Sequence, residues 1–93
     1  MTEEPTSMIV TISGRVQGVS YRAWAKRWAD ANGIAGWVRN EPDGSVSAQV
    51  EGPAEAVEQM IEAMRSGPPA ARVDSLTALP GAVTESRGFV VVT

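Results

Sequence analysis

Ninety-three residues suffice for one hydrophobic core and not for two. Hydrophobic residues make up 43% and charged residues 20%, which excludes a disordered chain, and no apolar run approaches the ~18 residues that cross a bilayer. A net charge of −3 argues against nucleic acid or an anionic membrane as partner, while the lack of cysteine and histidine removes thiolates, disulfides and the commonest neutral-pH base and zinc ligand.

Residues 1–7, "MTEEPTS", have neither the basic start nor the apolar stretch of a secretory signal. They are expected to form a flexible tail ahead of one domain over residues 8–93, in a cytoplasmic protein. "MIVTIS" (8–13) alternates as a strand, with Met8, Val10 and Ile12 on one face. Residues 14–20 form a loop. From Tyr21 the period changes to helical: Tyr21, Trp24, Ala25, Trp28 and Ala29 make an apolar stripe, and Lys26, Arg27 and Asp30 face away. Trp24 and Trp28 therefore belong to the core rather than to a ligand. Asn32-Gly33 ends the helix with residues that tolerate a left-handed cap.

"IAGWVRN" (34–40) is a second strand, "EPDG" (41–44) a turn, and "SVSAQVEG" (45–52) the hairpin partner. Pro53 suits a first helical position. Val57, Met60, Ile61 and Met64 give the second helix its buried stripe, with Glu55, Glu58 and Glu62 on a solvated face. "SGPPAA" (66–71) stops it, "RVDSLTAL" (72–79) is a fourth strand, and "GFVVVT" (88–93) closes the chain after a loop. The order β-α-β-β-α-β with an added strand predicts an α+β ferredoxin-like sandwich. Its sheet is mainly antiparallel, with both helices on one face.

The chemistry gathers at the first loop. Residues 1–40 hold five basic and three acidic groups, whereas residues 41–93 hold three basic and eight acidic. Positive charge around the loop suits a small anion better than a polyanion. The loop joins the carboxyl end of a strand to the amino end of a helix, where free N–H groups favour an anion and glycines allow a concave backbone. Arg22, in the first turn, opposes the helix dipole at a cost of up to ~1 kcal/mol unless something negative lies nearby. Its planar fork matches phosphate oxygens. From spacing alone, Gly14-x-x-x-Gly18 is equally compatible with a glycine-containing connection beside a surface arginine. Asn40, at the end of the second strand, reads equally as a turn residue or as an amide holding a water near a phosphoryl oxygen. Ser20 reads as an N-cap rather than a nucleophile, and Trp37 as a partly exposed sheet residue flanking the site.

"GRVQGVSYR" (14–22) followed by "GWVRNEPDGSVSAQVEG" (36–52) resembles the acylphosphatase family. The likeness continues through "ARVD" (71–74) to the closing strand and covers nearly the whole chain. Tyr21 stands where the family commonly has Phe. The resemblance implies a stand-alone, cytosolic enzyme that hydrolyses small acyl phosphates to a carboxylate and inorganic phosphate, without metal or cofactor; a monomer is the simpler expectation. It places the phosphate-binding loop on Arg15, Val16, Gln17, Gly18, Val19 and Ser20, the catalytic arginine on Arg22, and the water-orienting asparagine on Asn40. One competing reading is an RNA-binding module, which requires aromatics on the central strand that "MIVTIS" lacks. Others are a non-catalytic anion-binding domain and the acylphosphatase-like domain of larger maturation enzymes handling carbamoyl phosphate. The end of the sequence at Thr93 favours the stand-alone enzyme over the last.

Overall fold

A computed structural model describes residues 4–92. The elements run β1 (Pro5–Arg15), α1 (Tyr21–Asn32), β2 (Ala35–Asn40), β3 (Val46–Pro53), α2 (Ala54–Met64), β4 (Arg72–Pro80) and β5 (Phe89–Val92). They build one sheet in the order β4-β1-β3-β2-β5. Every neighbouring pair is antiparallel except β2–β5, which is parallel. This is the ferredoxin-like sandwich that the alternation of periods predicts, with the added strand on the β2 edge.

Strand β1 is longer than the pattern suggests at both ends. Pro5, Thr6 and Ser7 pair with Pro53, Gly52 and Glu51, so these three residues of the expected tail belong to the sheet. Residues 1–3 of that tail lie outside the described residues. At its other end β1 continues through Gly14 and Arg15, which pair with Val73 and Arg72 beyond a bulge. Gly14 has φ +128°, and a Cβ there would lie 2.2 Å from Arg72 O. Its role is thus to admit β4 against β1, and not to shape the concave loop, which shortens to residues 16–20.

The helices cover one face of the sheet. Val10, Ile12, Val38, Val46, Ala48 and Val50 are buried beneath them, against Tyr21, Ala25 and Ala29 of α1 and Val57, Met60 and Met64 of α2. Trp24 and Trp28 pack half-buried at the rim of this core. The added hydroxyl of Tyr21 donates to Met64 O at 2.6 Å, so the start of α1 is tied to the end of α2. Burial pushes that phenol above its ordinary range.

The opposite face is partly covered by the segment 81–88. Glu51, only 4% exposed, is the anchor. Its carboxylate accepts the N–H and hydroxyl of Thr84 at 2.9 and 3.1 Å and the N–H of Ser86 at 3.2 Å. Burial alone would raise its pKa, but these donors outweigh that and hold the group below the usual glutamate range. The segment so held delivers the chain to β5.

Candidate active site

Where α1 begins, its backbone donors are left open. Trp24 is the first residue to close a helical bond, to Ser20 O at 3.0 Å, so the N–H groups of Tyr21, Arg22 and Ala23 have no intrahelical acceptor. Ser20 stands at the N-cap position as expected but does not cap: its side chain makes no bond to the first turn. The reason is conformational. Ser20 is left-handed, with φ 64° and ψ 25°, whereas a capping serine adopts the β region to aim its oxygen back at the helix. A left-handed non-glycine residue costs roughly 1–2 kcal/mol, the kind of local strain that concentrates at functional sites. The first turn contains no acidic residue. Its dipole is met instead by the cation of Arg22.

A cavity of about 290 Å³ opens at this helix end, lined by Val16, Gly18, Ser20, Arg22, Ala23, Asn40 and Val91. Arg22 and Asn40 thus share one cavity with three of the six expected loop residues. The other three face elsewhere. Arg15 is an exposed end of β1, Val19 is buried in the core, and Gln17 turns its carboxamide to the β2–β3 turn. Gly18 has φ +73° with open space where a Cβ would stand, so the backbone conformation calls for glycine there and not close packing. Among the described residues, no carboxylate, imidazole or thiol lines the cavity.

Trp37 does not flank this site. On a strand, residues 37 and 40 point to opposite faces, so Trp37 lies on the face away from the helices, with the Arg39 guanidinium 4.8 Å from its ring centroid. Arg39 also donates to Glu41 Oε2 at 2.7 Å, and that bond holds the Glu41 carboxyl below its usual range. The nearest acidic group in sequence is therefore engaged outside the cavity.

One contributor escaped the sequence reading. Strand β5 supplies Val91 to the lining, and Arg22 Nη1 donates to Val92 O at 3.3 Å. One turn on, Lys26 donates to Phe89 O at 2.9 Å. Two cations of α1 thus hold the edge strand. The parallel pairing of Val38 and Arg39 with Val91 and Val92 brings that strand beside Asn40. Nothing local in "FVVVT" signals this, because the partner strand lies some fifty residues earlier.

The family model described as Acylphosphatase matches residues 8–91. An acylphosphatase of Rhodospirillum rubrum is 52% identical over 83 residues, which are 89% of this chain and 91% of that protein. Among solved structures, an acylphosphatase from Bacillus subtilis superposes with a TM-score of 0.91 at 31% identity, over 97% of this chain and 100% of the other. One from Coxiella burnetii gives 0.92 at 30% identity, over 99% and 100%. Agreement in sequence over nearly the full length, and in backbone over the whole fold, makes this chain a member of the acylphosphatase family of acyl phosphate hydrolases.

Proposed function

We propose that the chain hydrolyses acyl phosphates without a metal ion, in the cavity at the start of α1. Backbone N–H groups of the 15–20 loop and first turn, with the Arg22 fork, hold the phosphoryl oxygens, and Asn40 orients the attacking water. The observation that carries this reading is the meeting of Arg22 and Asn40, eighteen residues apart, at an uncapped helix end.

The chemistry supports it. Water attacks phosphorus as the P–O bond to the acyl group breaks, and the carboxylate leaves with the electron pair. The conjugate acid of that leaving group has a pKa near ~4, so it departs without a general acid. The proton of water passes to a phosphoryl oxygen, which makes a protein base unnecessary and fits a lining without one. A loose phosphoryl-transfer transition state asks for positioning and for charge stabilisation on the equatorial oxygens. Charge-assisted hydrogen bonds contribute roughly 1.5–3 kcal/mol each, so several from N–H groups and one guanidinium supply what a cation would otherwise supply. A small cytoplasmic acyl phosphate is the substrate this reading assigns.

Hydrolysis of benzoyl phosphate in excess EDTA tests the proposal. Turnover should be unchanged by the chelator and competitively inhibited by inorganic phosphate. Turnover lost in EDTA and restored by a divalent cation would overturn metal independence. Phosphate binding with no hydrolysis would leave an anion-binding domain.

A further inference from the structure

Gln17, the one long polar side chain of the 16–20 loop, turns away from the cavity and gives its amide nitrogen to another element. Its Nε2 donates to Glu41 O at 2.8 Å and to Ser45 O at 2.9 Å, across 24 and 28 residues. A carboxamide nitrogen carries two protons, and both are used. The two carbonyls are the jaws of the β2–β3 turn: Glu41 N–H donates to Ser45 O, and Gly44 N–H to Glu41 O. Each carbonyl therefore accepts one bond from the turn and one from Gln17, which fills both lone pairs. The turn is stiffened further by Asp43, which accepts the N–H and the hydroxyl of Ser45.

The target of this strut is informative. Glu41 follows Asn40 directly, and Ser45 precedes Val46, the residue paired with Asn40. The loop extends from β1 and Asn40 ends β2, yet these strands are not neighbours, because β3 lies between them. The sheet relates the loop to Asn40 only through two successive ladders, and beyond its strand end the loop is outside both. Gln17 makes the direct link.

We propose that Gln17 is a positioning residue for hydrolysis, whose carboxamide sets the distance between the phosphate-holding loop and the Asn40 amide; this rests on the reading of the cavity given above. Productive geometry must be held within about 0.5 Å, and a misplacement of about 1 Å costs on the order of 100-fold in rate. Without the strut, the loop and Asn40 each keep their own contacts but not their spacing. Phosphate, which needs only the loop and Arg22, still binds.

The experiment compares wild type, Gln17→Met and Gln17→Glu for benzoyl phosphate hydrolysis, inhibition by inorganic phosphate, and thermal melting. Gln17→Met keeps length and loses both donors. Its kcat should fall between roughly 10- and 100-fold while the inhibition constant for phosphate changes less than about 3-fold. Gln17→Glu aims a carboxylate at two carbonyl oxygens. Its kcat should be lower still at neutral pH and should recover as the carboxyl protonates and becomes a donor, giving an acid limb that wild type lacks. An active wild type with unchanged kcat in folded Gln17→Met overturns the inference, as does parallel loss of kcat and phosphate affinity. If Gln17→Met fails to fold, the pH profile of Gln17→Glu decides: a profile parallel to wild type overturns the inference. A wild type that hydrolyses no acyl phosphate removes the functional reading and this inference with it.

Discussion

Helix α2 follows β3 without a loop, through Pro53 in extended conformation (φ −57°, ψ 138°), and carries Glu55 in its first turn. Helix α1 follows a strained loop, through a left-handed Ser20, and carries no acid but an arginine in its first turn. Neither N-cap side chain bonds the helix. The difference is therefore one of charge and access. The positive end of α2 is answered by a residue of its own, whereas the same end of α1 faces a cavity and is made more positive by Arg22. Two helices with the same packing task thus begin with opposite electrostatics. The one left unanswered is where the proposed reading seats the anion.

The largest effect expected on this contrast comes from Arg22. Arg22→Ala should lower kcat/KM for benzoyl phosphate by at least about 1,000-fold, the scale of a lost arginine clamp on a phosphoryl group, with the circular dichroism spectrum unchanged. Arg22→Lys should remain within about tenfold of the alanine variant, because an ammonium cannot make the bidentate fork. Near wild-type turnover in either would mean that the anion at α1 is held by backbone alone.

Asn40→Ala should follow, with kcat lower by about 100-fold and the inhibition constant for phosphate nearly unchanged, as expected of a group that orients water rather than binding the anion. Collapse of phosphate affinity with kcat retained would reverse that role.

A smaller effect sharpens the comparison by giving α1 the solution used by α2. Ser20→Asp places a carboxylate at the open helix end, in a backbone conformation Asp tolerates. It should stabilise the fold by about 0.3–1 kcal/mol through the dipole while raising the inhibition constant for phosphate at least tenfold, because the new carboxylate occupies the anion's place. A melting temperature that rises with phosphate affinity intact would show that the anion does not use this end.

The smallest effect is the reverse exchange, Glu55→Gln. It should cost at most about 0.5–1 kcal/mol in urea denaturation and leave hydrolysis unchanged, since Glu55 is an exposed first-turn residue remote from the cavity lining.

Much of the architecture was legible because it rests on periodicity. The stripe Val57, Met60, Met64 and the alternation of Val46, Ala48 and Val50 mark buried faces without knowledge of any partner. Arg22 was legible as a cation at the wrong end of a helix. Trp37 was misplaced although strand parity already separates it from Asn40. Ser20 was misread as a side-chain cap because residue type favours that role, and its left-handed backbone is a property of the loop's path rather than of serine. Gly14 and Gly18 look alike in the sequence, yet one yields to a neighbouring strand and the other to a turn.

Local pattern determined the elements, their order and buried faces, and the charge imbalance that drew attention to the first loop, because each depends on residues within a few positions of one another. Tertiary structure decided which residues meet. It set Asn40 beside Arg22, brought Val92 O to the guanidinium, and turned Gln17 toward the carbonyls after Asn40. Those encounters span roughly eighteen to seventy residues and depend on the order of strands in the sheet, which no short-range preference encodes.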